Sequence, residues 1–161
     1  TDSSLIAKKI SSVSVLPVAA PSLISQWPQL THPNDLAKMP VLAYANDRSP
    51  HDWHYVGPDG KAGSLNITPR MSANNGDVLR DLAIAGLGMV SLPTFLHYEA
   101  INKGLLQPLF PDYDWSGFDI FVVYPKTTIL PKRTRVFVDF ISGLYGRSPY
   151  WEVIDRTALA G

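Results

Sequence analysis

The stretch "AIAGLGMVSLPTFL", Ala83–Leu96, decides how this chain is read. It joins the end of an apolar helical pattern to glycines at 86 and 88, a short β-like run from Met89 to Leu92, and Pro93. Two arrangements place glycines this close. A dinucleotide-binding loop follows a strand, opens a helix and needs a third glycine. A packing joint instead uses one glycine to close a helix in the left-handed conformation and lets the next strand approach its neighbours closely. Here the helical pattern comes first, and Gly86 and Gly88 close it. The stretch reads as a joint, not as a nucleotide loop.

The pattern extends in both directions. Upstream, "NNGDVLRDLAIAGLG" is a helix: Asn74 or Asn75 suits the N-cap, and Asp77 complements the dipole in the first turn. Val78, Leu79, Leu82, Ala83 and Ala85 supply its apolar face, and Gly86 its end. Downstream, "TFLHYEAINKG" is a second helix, with Thr94 placed to cap it and Gly104 to close it. "SVSVLPVAAPSL" (12–23) reads as a buried strand ending at Pro21. A turn of helix at 34–38, stopped by Pro40, precedes a strand at 41–44. A strand at 53–56 leads to a hairpin at "PDGK", and "GSLNITPRMSA" is extended. "LLQPLF" is a short strand, "FDIFVVYPK" a longer one, and "PKRTRVFVDFISGLYG" a final helix with Val136, Phe137, Phe140, Ile141 and Leu144 on its apolar side. Strands and helices alternate, so the class is α/β.

Composition narrows the chemistry. The 161 residues suit one domain or two small lobes, and 45% are hydrophobic, enough for a real core. With no cysteine there is no disulfide, thiolate metal site or cysteine nucleophile. The formal net charge is zero, which gives no electrostatic case for nucleic acid or membrane. No apolar run is long enough to span a bilayer. No secretory signal opens the sequence, and no internal repeat is present.

The ordered set of motifs resembles the effector-binding domain of LysR-type transcriptional regulators. "DVLRDLAIAGLGMVSLPTFLHYEAINKGLLQPLF" is similar to that family's helix, glycine pair, Leu-Pro strand, second helix and Gly-Leu-Leu step. "LPVAAPSLI", "HPNDLAKMPVLAY" and "DIFVVYPKTTILPKRTRVFVDFI" resemble its other segments in the same order, so the likeness runs from about Thr1 to Phe140. The resemblance implies a periplasmic-binding-protein type II-like fold, two α/β lobes with a small ligand between them. It implies that residues 1–117 are the second effector lobe, with an incomplete N-terminal hinge, and that 118–161 are the return hinge strand and C-terminal helix of the first lobe. The DNA-reading winged helix-turn-helix and the start of the first lobe are expected to be absent from this chain. A cytoplasmic homo-oligomer follows from the same likeness. It would sense a small polar or anionic effector, contact DNA only through the absent domain, and need no cofactor, metal or membrane.

Site residues follow residue by residue. The family's polar ligand contacts fall on the turn "MSANNGD", so Ser72, Asn74 and Asn75 are effector-binding candidates, although asparagine here also suits a plain helix cap. Phe118 and Asp119 on the return strand are further candidates, as are Asp2 and Ser3 at the first hinge crossing. No catalytic residue is expected: no serine lies in a G-x-S-x-G context. "HDWH" spaces His51 and His54 around Asp52, but its turn-rich surroundings offer no third metal ligand. "KRTR" reads as a solvated helix start, and the four tryptophans as packing residues. Two other functions share this fold, a free-standing solute-binding protein and an enzyme. A signal peptide would mark the first and a perturbed acid–base pair the second. The final helix raises a separate expectation. Its apolar side needs a cover, either the remaining lobe or, preferably, a second chain.

Overall fold

The computed structural model describes residues 5–47, 51–126, 131–146 and 149–154. Asp2 and Ser3 lie outside them. One strand organises the molecule. β1 (Leu5–Ala19) is 15 residues long and belongs to two layers. Its first part pairs antiparallel with β8 (Gly117–Pro125), from Leu5↔Pro125 to Ser14↔Gly117. Its second part enters the main sheet and pairs antiparallel with β6 (Met89–Pro93), from Val15↔Pro93 to Val18↔Val90.

The main sheet adds β2 (Val41–Tyr44), β5 (Pro69–Ala73) and the two-residue β7 (Gln107–Pro108), in the order β5-β2-β6-β1-β7. β5, β2 and β6 are mutually parallel, so their C-terminal ends lie on one edge of the sheet. A separate hairpin, β3 (Asp52–Val56) and β4 (Ala62–Asn66), turns at the predicted Pro-Asp-Gly-Lys. Among the described residues the α-helices are the four-residue α1 (Pro21–Ile24), α2 (Gly76–Ile84), α3 (Thr94–Asn102) and α4 (Lys132–Tyr145), and Pro33–Lys38 is a 3-10 helix. Among the described residues no helix is long and apolar enough to cross a membrane.

The opening joint is built as a helix stop followed by a close approach. Leu87 N–H donates to Leu82 C=O at 3.1 Å and Gly86 N–H to Ala83 C=O at 2.9 Å, the paired bonds that close a helix on a left-handed residue. Gly86 supplies that residue with φ 76°. Gly88 then lies against the next strand, where a Cβ would stand 2.9 Å from the Pro40 carbonyl oxygen and from Leu42 Cγ. The joint delivers Met89, Val90 and Leu92 into the core beside Val18, Val41, Leu79, Ala83 and Leu106.

Two predicted faces are corrected. On α2, Leu79 and Ala83 are buried and Leu82 is half-buried, while Val78 and Ala85 are exposed, because the sheet covers only a narrow stripe of so short a helix. On α4, which packs on β1, Val138 is buried and Ile141, Ser142 and Tyr145 are half-buried, so the docked side carries these four. Val136, Phe137, Phe140 and Leu144 are 59, 59, 64 and 57% exposed. The helix docks by the side that the two-stranded ribbon can reach, anchored by a Lys8–Asp139 ion pair at 3.2 Å, and its larger apolar side is open in the single chain. The other described residues do not cover it.

Candidate functional site

The edge formed by the C-terminal ends of β5, β2 and β6 is the place where open α/β sheets present ligands. Three features converge there. β5 ends at Ala73 and passes through Asn74 and Asn75 into α2. β2 ends at Tyr44, ahead of Asp47. β6 ends at Pro93, directly opposite Val15, where β1 leaves the sheet for the ribbon with β8.

Asn75 is the N-cap of α2. Its side-chain oxygen accepts from the amides of Asp77 at 2.9 Å and Val78 at 3.2 Å. Asn74 is exposed on the same turn, and Ser72 is exposed at the end of β5 just before it. The α2 dipole makes this turn the positive end of the helix. Asp77 and Asp81 are drawn back onto Arg80, at 2.7 and 2.9 Å, and Arg80 also donates to Leu96 C=O, which ties α2 to α3.

Phe118 and Asp119 stand at the other end of this edge, on β8. They line a depression of about 370 Å³ together with Ser12, Ser14, Asp114 and Ser116. Asp119 is already engaged: it pairs with Lys9 at 2.7 Å and accepts from Ser12 Oγ at 2.8 Å. Lys9 first, then Ser12, holds its carboxyl below the usual range. The structure therefore sets the two groups of predicted residues on one edge but not in one depression. β2 and β6 lie between β5 and β1, a span of three strand spacings, roughly 14 Å.

Between them is a hollow that the sequence did not reveal. About 250 Å³ is lined by Asp47, Asp52, Trp53, His54, Ser91, Trp115 and Ser116. Trp53 and Trp115 meet edge to face at 6.4 Å. Asp52 accepts from Asn66 Nδ2 at 2.9 Å, so this part of "HDWH" serves the hairpin. The signal was present in the sequence as "DWH" on a strand, but only tertiary placement brings it beside Ser91.

A buried polar cluster behind the edge was also missed. His97 is fully buried, and its Nε2 lies 2.9 Å from Leu92 C=O. A carbonyl can only accept, so Nε2 carries a proton. Burial pushes the pKa of the ring down to about 4, which keeps it neutral near pH 7. Thr94 does not cap α3 as predicted, since Pro93 occupies the cap position. Its hydroxyl donates instead to Glu152 Oε1 at 2.7 Å.

The profile of one family, the LysR substrate binding domain, matches residues 1–144. The HTH-type transcriptional regulator PtxR of Pseudomonas aeruginosa is 28% identical over 149 residues, covering 92% of this chain and 47% of that protein. An HTH-type transcriptional regulator of Haemophilus influenzae is 33% identical over 141 residues, 86% of this chain and 48% of that protein. The chain thus spans about half the length of these relatives. Among solved structures, the regulatory domain of AphB from Vibrio vulnificus superposes with a TM-score of 0.74 at 30% identity, covering 89% of this chain and 71% of that one. The regulatory domain of CrgA from Neisseria meningitidis gives 0.74 at 27% identity, covering 90% and 71%. The fold is that of these regulatory domains, periplasmic-binding-protein type II-like. The chain belongs to the LysR substrate-binding domain family and is the effector-binding domain of a LysR-type transcriptional regulator.

Proposed function

We propose that this domain senses a small polar or anionic molecule in an interlobe cleft and, in the longer protein, couples its binding to transcription. The observation that carries the reading is the shared edge: the polar turn at the start of α2 and the hinge residues of β8 flank the C-terminal ends of three parallel strands. Ser72, Asn74 and Asn75 would hold the effector from one side, and Phe118 and Asp119 would close on it from the other. The positive end of α2 favours an anion or the oxygen of a neutral polar group. Asn75 would serve twice, its oxygen capping the helix and its amide nitrogen meeting the ligand.

On this reading residues 1–117 are the second lobe, and 118–161 return to the first, whose other strands and helices belong to the rest of the regulator. DNA contact would be made by a helix-turn-helix elsewhere in that protein, in the cytoplasm, by an oligomer. The domain would do no chemistry; it would shift a population between lobe arrangements. The relatives being named transcriptional regulators supports this. The test is a thermal-shift screen of small carboxylates, sulfate, phosphate and neutral amides against the chain. A ligand raising the melting temperature is expected to lose at least tenfold in affinity in Asn74→Ala, with the unliganded melting temperature unchanged. Hits that bind Asn74→Ala as well as the parent would remove the site. Turnover of any hit, abolished by a cleft substitution, would replace sensing by catalysis.

A further inference from the structure

The segment after α4 turns back to the point where β1 changes layers. Pro149–Ile154 contains a 3-10 turn, Tyr150–Glu152, packed on α3. Trp151 is buried, its ring 5.3 Å from Tyr145 of α4, 4.9 Å from Tyr150 and 6.3 Å from Phe95 of α3. Tyr150 lies 5.3 Å from Tyr98, also on α3. Asn102 Nδ2 donates to the Val153 carbonyl at 3.4 Å. One aromatic stack therefore runs from the terminal helix, through the tail, to the helix behind the main sheet.

The polar end of the tail is more specific. Glu152 Oε1 accepts both the Ser14 amide at 2.8 Å and the Thr94 hydroxyl at 2.7 Å. Ser14 is the last β1 residue paired with β8, and Val15 is the first paired with β6. Thr94 is wholly buried at the first position of α3, where a helix favours a negative partner. A single carboxylate oxygen thus holds the crossing point of β1 and the start of α3, with bonds of the charge-assisted, stronger kind.

We propose that Glu152 is a latch, and the tail 149–154 a strap, that together fix the angle between the α4–ribbon unit and the main sheet. The two units are otherwise joined through β1 and β8, with one bond from Val15 N–H to the Ser116 carbonyl at 3.1 Å across the crossing, and a change of their angle would turn the backbone at 14–15 and 116–117. Opening the strap would free that rotation without unfolding either unit. Glu152 acts through the geometry it holds; it is a positioning residue. The inference stands apart from whatever the cleft binds.

The chain has no cysteine, so it can be spin-labelled cleanly at Arg133→Cys on α4 and Gln26→Cys beyond α1, both exposed. Distances are read by pulsed dipolar spectroscopy in an excess of unlabelled chain. The parent should give one narrow distribution. Glu152→Ala should broaden or shift it with the circular dichroism retained, while Glu152→Gln, which keeps an accepting oxygen, should stay near the parent. The Ser14 amide should exchange with deuterium roughly ten- to a hundredfold faster in Glu152→Ala. In the unmodified chain, Ser14 and the tail amides should exchange together, ahead of the Val18 and Val90 amides, as a sub-global opening. An unchanged distribution in Glu152→Ala would overturn the latch. So would exchange of Ser14 in the unmodified chain only with the core amides. Should Glu152→Ala fail to fold, that second measurement alone decides.

Discussion

Asn75 and Asn74 are adjacent, identical in chemistry and different in task. Asn75 Oδ1 accepts two first-turn amides of α2, so Asn75→Ala should cost about 0.5–2 kcal/mol in urea unfolding. Asn74 is exposed on the proposed ligand side, so its loss should be read in binding and not in stability. Equal stability losses in the two alanine variants would dissolve this division. His97 makes a second residue-scale prediction. Burial lowers its pKa to about 4, against an ordinary 6.5 in the unfolded chain. Below pH 6.5 the unfolded state therefore binds a proton that the folded state refuses, and stability falls with pH until about 4. At 1.36 kcal/mol per unit, the loss approaches about 3 kcal/mol across that window. Asp35, held down to about 2 first by Lys38 and then by the amides of Thr31 and His32, costs stability only below about pH 4. Unfolding free energies at pH 7.5 and 4.5 should diverge in the parent and much less in His97→Gln. Parallel pH slopes in the two would mean that His97 is not the group responsible. Neither the burial nor the orphaned Nδ1 of His97 was legible in "TFLHYEA", because a helical histidine reveals its partners only once Leu92 and Glu152 fold beside it.

At the scale of elements, punctuation was the legible part. Gly86 takes the left-handed conformation predicted for it, Gly104 follows the end of α3 as expected and is also left-handed, and β2 and β6 occupy the predicted residues. These features depend on backbone chemistry within a few residues. Gly86→Ala should accordingly cost about 1 kcal/mol or more, since alanine resists φ 76°. Gly88→Ala should cost more, because its methyl would meet the Pro40 carbonyl, which the sheet holds in place. A Gly88→Ala variant as stable as the parent would remove the close approach as the reason for the second glycine. Element faces were less legible. Of the apolar side read from the helical pattern of α4, only Ile141 is on the docked side; Val136, Phe137, Phe140 and Leu144 are turned away from it. Periodicity ranks the faces of a helix by hydrophobicity, whereas docking is decided by what lies opposite. Here that is β1, where Lys8 pairs with Asp139, and the buried Trp151 beside Tyr145. The predicted site residues suffered the same limit: order along the chain put Ser72, Asn74, Asn75, Phe118 and Asp119 near one sheet edge, but not the two intervening strands between them.

Across the whole molecule, the open side of α4 has an energetic consequence. Val136, Phe137, Phe140 and Leu144 are all more than half exposed, and on the ribbon Leu5, Phe121 and Val123 are exposed as well. Fully burying one such side chain is worth roughly 1.5–3 kcal/mol. Leaving several in water forfeits an amount comparable to the net stability of a domain, about 5–15 kcal/mol. In the longer regulator the rest of the first lobe is the proposed cover. For the 161-residue chain by itself, a second copy is the available one, and an isologous contact would place Phe137 and Phe140 of both copies against each other. Sedimentation at micromolar concentration should therefore show self-association, and Phe137→Asp with Phe140→Asp should abolish it. Both positions already face water in the single chain, so the aspartates should leave monomer folding and the His97-dependent pH slope intact. That separates loss of the contact from loss of the fold. A soluble monomer of unmodified sequence, with this side still open to water, would show that the chain tolerates the exposure and that the second copy is not needed.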